Sequence, residues 1–175
     1  MTHIISAFPG LGKTTIFQLN KERTFDREFN ESRSVKGMSL LDAQTFFDQC
    51  ANIVKLQTNS NVYDYIFITD HRSIVLRLYQ TSITHIYPNV FDEKIMDDYK
   101  KRIIQRNDLK WYERVIEPRL VDIQDYIEKL IQMGCDVRFT DIEHPYIEDV
   151  FSFEDFILLP KKKGRKENVS SKYIE

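Results

Sequence analysis

Long apolar runs are missing from this 175-residue chain. No stretch approaches the ~20 consecutive apolar residues that a helix needs to cross a bilayer, so the pattern excludes a membrane-spanning helix. Only 5 glycines and 5 prolines occur, which excludes a flexible linker, and the body of the chain carries neither an internal repeat nor a low-complexity segment. Cysteine is equally scarce: Cys50 and Cys135 stand far apart without partners at metal spacing. That excludes a disulfide scaffold and, with no secretory leader in view, points to a reducing, cytoplasmic setting. An excess of one charge sign is also lacking, because 25 Lys and Arg meet 27 Asp and Glu for a formal charge of −2. No global field recruits nucleic acid, although a local basic groove stays open. What is present is 42% hydrophobic and 30% charged residues, the profile of a soluble globular protein with room for one domain and its core.

The most informative stretch lies at the start, where Ile4-Ile5 leads into Ser6-Ala7-Phe8-Pro9-Gly10-Leu11-Gly12-Lys13-Thr14-Thr15. A small residue, four free positions and then Gly-Lys-Thr form the phosphate-loop pattern, with Ala7 in the first slot. Backbone N–H groups wrap a phosphate only where side chains do not block them, which is the use of Gly10 and Gly12. The expected nucleotide contacts run from Pro9, Gly10 and Leu11 through Gly12 and Lys13 to Thr14 and Thr15. Lys13 supplies a cation over the outer phosphates of ATP and the Thr14 hydroxyl a ligand for Mg²⁺. The context agrees: a buried strand precedes the loop, and a helix over 13–21 turns its N-terminal dipole towards the anion.

Strand and helix alternate from there. A short strand is expected over 24–29, then a helix capped by Ser39 with its apolar face on Leu40, Leu41, Ala43, Phe46, Phe47, Cys50 and Val54. The continuous apolar run 63–69 reads as a strand buried on both faces. A helix over 73–80, a strand over 83–87 ended by Pro88, and a polar Arg- and Lys-rich segment over 92–107 follow. A long amphipathic helix is expected over 111–133, with Pro118 as its point of disturbance and Gly134 closing it. A fifth strand over 136–142 and a last short helix within 146–159 complete the order. The alternation predicts a three-layer α/β domain over 1–159 with a mostly parallel sheet of about five strands. Ligands belong at the carboxyl ends of such strands. The basic run Lys161-Lys162-Lys163-Gly164-Arg165-Lys166 opens a polar tail over 160–175, read as a solvated terminus in preference to a nucleic-acid contact.

Several side chains then stand out. Asp70 ends an apolar strand, where an acid supports the Mg²⁺ shell opposite the loop hydroxyl; an acid that starts a turn is the competing reading. Arg72, two residues on, suits a bidentate contact with phosphate. Arg102 and Arg106 are four apart on one helical face and suit a lid over about 91–110 that supplies charge to a transferring phosphoryl group. The alternative there is an ordinary solvated basic face. Asp26, Glu28 and Glu31 are equal candidates for accepting a proton from an acceptor hydroxyl or holding its sugar, and Arg33 for pairing a bound monophosphate; a hydrated loop is the competing reading. His71 and His85 lack a second ligand at metal spacing. Trp111 and Tyr112 read as core in preference to a base-stacking platform. The aromatic residues, 13% of the chain, are spread without a nucleic-acid-binding motif.

With these residues in hand, the chain resembles small nucleotide-kinase-like P-loop proteins of the adenylate-kinase and deoxynucleoside-kinase type, in the compact version carried by bacteriophages of Gram-positive bacteria. The resemblance rests on residues 7–14, on "FDREFNESR", on "YDYIFITDHRSI" and on "ITHIYP" followed by an Arg-bearing segment, and it spans residues 1 to about 150. It implies ATP and Mg²⁺ on Lys13 and Thr14, an acid-Arg-Ser element at Asp70, Arg72 and Ser73 interrupted by His71, and lid arginines at Arg102 and Arg106. The Asp-Gly-x-Pro-Arg element of true adenylate kinases is absent, which leaves the acceptor open. The expected function is phosphoryl transfer from ATP to a nucleoside monophosphate or nucleoside. The alternatives are a polynucleotide 5′-end kinase or ATPase, and a nucleotide-binding module without turnover.

Overall fold

The computed structural model describes residues 1–27, 37–78, 81–154 and 156. Glu28, Glu31, Arg33 and the basic tail over 160–175 lie outside the described residues. Five strands form one sheet: β1 (His3–Ala7), β2 (Thr24–Arg27), β3 (Tyr65–Thr69), β4 (Ile83–Pro88) and β5 (Asp136–Thr140). Their order is β2-β3-β1-β4-β5, and all four pairings are parallel.

Both faces of the sheet are covered, which is why the central strands are apolar throughout. Ile5, Ala7, Phe67 and Ile86 belong to one core with α1 (Lys13–Leu19), α4 (Glu93–Arg106), α5 (Leu109–Val115) and α7 (Ile123–Gln132). Ile4, Ile66, Ile68 and Ile83 belong to a second core with α2 (Leu40–Ser60), α3 (Arg72–Val75) and the 3-10 turn Leu76–Leu78. α6 (Glu117–Leu120) and α8 (Ile147–Val150) are short connecting helices. The domain is therefore three-layered, helix on sheet on helix.

Strand order also locates the cleft. The connection after β1 travels outward to β2, whereas the connection after β3 crosses β1 to reach β4. The carboxyl ends of β1 and β3 thus flank the topological switch point. Residues 8–12 and Asp70 emerge there side by side, since Ala7 and Thr69 are register partners.

The structure gives definite form to two of the expected segments. The segment over 91–110 is chiefly the 14-residue helix α4. Asp92 caps it by accepting from the N–H groups of Lys94 and Ile95, and its Tyr99 and Ile103 are fully buried in the first core. The long helix expected over 111–133 is three helices. Pro118 lacks an N–H and its ring displaces the preceding turn, so α5 stops at Val115. Val121 is then extended and Asp122 left-handed at φ 54° before α7 begins.

One buried group in the sheet has a measurable consequence. His85 on β4 is 2% exposed, its register partner is Ser6, and neither His85 Nδ1 nor Ser6 Oγ has a hydrogen-bond partner among the described residues. Burial holds the imidazole down to a pKa of about 4, against a weaker upward pull from Asp136. Between pH 6.5 and about 4 the unfolded chain binds a proton that the folded chain refuses, so stability falls as the solution is acidified through that window. Urea unfolding at pH 7 and pH 4.5 is expected to show a loss about 2 kcal/mol larger for the parent protein than for His85→Leu. Equal losses would remove His85 as the cause.

Candidate functional site

The loop between β1 and α1 is shaped by two left-handed glycines, Gly10 at φ 81° and Gly12 at φ 99°. Gly10 serves a second purpose: a Cβ at this position would collide with the terminal methyl of the buried Ile103, which would have to shift for α4 to keep its approach. The approach is held by the Tyr99 hydroxyl, which donates to the Pro9 carbonyl at 2.7 Å. From the other side, the Ile147 N–H donates to the Leu11 carbonyl at 3.0 Å and the Phe8 N–H to the Ile86 carbonyl at 2.9 Å. Leu11 itself is fully buried and anchors the loop. Lys13 is 9% exposed, and its Nζ donates to the Ala7 and Phe8 carbonyls at 2.7 and 3.3 Å. Thr14, the next residue of α1, is exposed, and Thr15 half-buried.

Asp70 stands beside this loop, 5% exposed, with its Oδ1 accepting from the Tyr87 hydroxyl at 2.9 Å. Burial pushes its carboxyl above the usual range, opposed by the Tyr87 hydrogen bond and by the charges of Arg119, Arg72 and Lys13. Arg119 deserves a place in the site although the residue pattern did not single it out. Its Nη1 donates to the Asp70 carbonyl oxygen at 2.9 Å. It reaches that position because Pro118 interrupts the helix, and a proline inside a helical pattern was the available signal.

One cavity of about 150 Å³ opens at this point. Its floor is the loop from Pro9 and Gly10 to Gly12, Lys13 and Thr14. Asp26 at the end of β2 and Thr69 at the end of β3 line one side. Arg106, Asn107, Trp111, Val115 and Arg119 line the other. Three expected residues, Lys13, Asp26 and Arg106, are thus brought together from elements far apart in the chain.

Two expected cations have other work. Arg102 pairs with Asp98 at 2.9 Å and lies over the rings of Tyr99 and Tyr146, outside the cavity lining. Arg106 lines the cavity and Arg102 does not, although both belong to α4. Arg72 donates to the Val121 carbonyl at 2.9 Å and stacks on Tyr126 at 4.6 Å, so it joins α3 to the α6–α7 turn. Trp111 departs from its expected place in the core, since it packs only partly there and presents surface to the cavity. Tyr112 is buried as expected.

The donor set suits a hard cation held mainly by a ligand's own oxygens. No group of three or more His, Cys, Asp or Glu side chains is placed to bind a metal among the described residues. Of the two expected Mg²⁺ ligands, Thr14 lines the cavity, whereas Asp70 is absent from its lining and buried with Oδ1 on the Tyr87 hydroxyl; the carboxylate that does line it is that of Asp26. A scan against protein-family models and a search of curated proteins each found no match for this chain. No helix among the described residues is long and apolar enough to cross a membrane.

The close approach at Gly10 is open to test. Gly10→Ala combines a left-handed alanine with the Ile103 collision and is expected to cost about 2–3 kcal/mol. Gly134→Ala shares the positive φ, 76°, with no atom within 4 Å of the added methyl, and is expected to cost about 1 kcal/mol. Thermal melts should separate them by about 2–8 °C. Equal melting temperatures would show that α4 does not press on the loop.

Proposed function

We propose that this chain is a P-loop phosphotransferase that moves the terminal phosphoryl group of ATP to a nucleotide or nucleoside acceptor. The observation that carries this reading is the meeting, in one cavity, of a glycine-shaped loop with its lysine, a carboxylate from a different strand, and two arginines. A loop of N–H groups at a helix N-terminus favours a phosphate chain. Cations on the far wall favour a phosphoryl group whose charge spreads over its oxygens during transfer.

In this reading Lys13 exchanges its two loop carbonyls for phosphate oxygens when ATP enters. Thr14 would hold the Mg²⁺ that accompanies ATP, with Asp70 as the supporting acid, and the cation would neutralise phosphate charge. Asp26 accepts the proton of the acceptor hydroxyl while that oxygen bonds to the terminal phosphorus and the bond to the ADP oxygen breaks. Arg106 and Arg119 offset the charge on the moving group. Arg72 and Arg102 position the walls, the first by tying α3 to the α6–α7 turn and the second by bracing α4.

The test is ADP release from ATP and Mg²⁺ with a panel of nucleosides, nucleoside monophosphates and a 5′-hydroxyl oligonucleotide. Acceptor-dependent ADP is expected, falling by about 100-fold or more in Lys13→Ala with an unchanged thermal melt. ATP binding without product from any acceptor would replace the transferase reading with that of a binding module.

The two arginines of α4 are expected to separate in the same assay. Arg106→Ala should lower turnover by roughly 100-fold, whereas Arg102→Ala should stay within about fivefold of the parent. Equal losses would place both on the phosphoryl group.

A further inference from the structure

Trp111 is the single tryptophan of the chain, and it is half-buried. It is the third residue of α5, set there by Asp108, whose carboxylate accepts from the Trp111 N–H at 2.6 Å. Val115 lies one turn on, along the same face, and both side chains are half-buried and line the cavity. The aromatic rings deeper in this layer pair with one another, as Phe8 does with Tyr87 and Tyr99. The indole makes no ring contact among the described residues. An apolar aromatic surface therefore faces a cavity whose other lining comprises the 9–14 loop and the polar side chains of Asp26, Thr69, Arg106, Asn107 and Arg119.

Resting on the function proposed above, we propose that Trp111 is the stacking platform for the base of the acceptor. A carboxylate that takes a proton from the acceptor hydroxyl must lie within hydrogen-bond reach of it, so the acceptor occupies the part of the cleft that holds Asp26. That part is built from the ends of β2 and β3 and from α4 to α6, without a contribution from the carboxyl ends of β4 or β5. A base joined to the sugar that carries this hydroxyl must settle against the same walls, and Trp111 with Val115 is their apolar portion. Every nucleobase has a π-face, so this platform selects for a base without choosing among bases. The substrate class is accordingly a nucleoside, a nucleoside monophosphate or the terminal nucleoside of a strand, and base-free sugar phosphates are rejected.

Because no other tryptophan is present, emission from the parent protein reports on this side chain directly. The emission is followed during titration with nucleosides, nucleoside monophosphates and a 5′-hydroxyl oligonucleotide, with ribose 5-phosphate and tripolyphosphate as base-free controls and ATP alone as a donor control. Quenching by base-bearing acceptors and none by the base-free controls is expected, and the arm that responds identifies the mononucleoside or the strand end as the source of the base. Trp111→Phe is expected to keep the acceptor KM within about threefold and Trp111→Leu to raise it about tenfold or more, with the KM for ATP within about twofold in both. Equal quenching by ribose 5-phosphate, a full response to ATP alone, or an unchanged acceptor KM in Trp111→Leu would overturn the platform. Acceptor-dependent ADP release with silent emission would overturn it while leaving the transferase intact. Calorimetry showing no binding of ATP to the parent protein would overturn the transferase itself.

Discussion

The contact between α4 and the 8–12 loop is the constraint on which the cleft depends. The loop leaves β1 at the switch point of the sheet, where its backbone carbonyls would otherwise face solvent or each other. Tyr99 takes the Pro9 carbonyl and Ile147 takes that of Leu11, while the missing Cβ of Gly10 lets Ile103 come close. These contacts come from parts of the chain some ninety or more residues away from the loop. They hold a loop whose Gly10 and Gly12 are both left-handed.

Charge is distributed around that loop unevenly. Asp70 is the buried carboxyl of the region, and burial alone would favour its protonated form. The Tyr87 hydroxyl and the cations of Arg119, Arg72 and Lys13 act in the opposite direction. Arg119 feels the complementary effect: burial disfavours its charge, and Asp70 and Tyr99 favour it. Removing either member of this group would leave a desolvated charge with fewer partners, so the acid and its arginine are coupled in stability as well as in position. Lys13 adds a third cation, held for the present by two carbonyls of its own loop.

Much of this was legible in the residues. The loop pattern of 7–15, the apolar run of 65–69 ending at Asp70 and the Ser39 cap all describe local chemistry. The Ser39 hydroxyl accepts from the Asp42 N–H at 3.1 Å, as an N-cap should. The fold class followed from alternation, and the sheet is parallel throughout. The segment over 92–107 was harder. Its high charge suggests exposure, yet Tyr99 and Ile103, four apart, form the stripe that binds it to the core. Arg119 escaped, and Trp111 was read as core instead of as a base-stacking platform, because their places at the cavity depend on where a proline bends the path between α5 and α7. A one-dimensional pattern registers the break but not the direction that the chain takes after it.

The sequence by itself determined the strands, the two glycines of the 8–12 loop, the caps and the acid at the end of β3. Each of these rests on interactions between residues a few positions apart, which composition and spacing record. Only the tertiary structure decided which cations share the cavity. Arg102 and Arg106 are equivalent by spacing, but Asp98 and Tyr146 claim the first while the second reaches the cavity. The reason is physical: Asp98, one turn before Arg102 on the same helix, compensates the first guanidinium, whereas the Tyr146 ring and the cavity that the second reaches are brought up by distant segments.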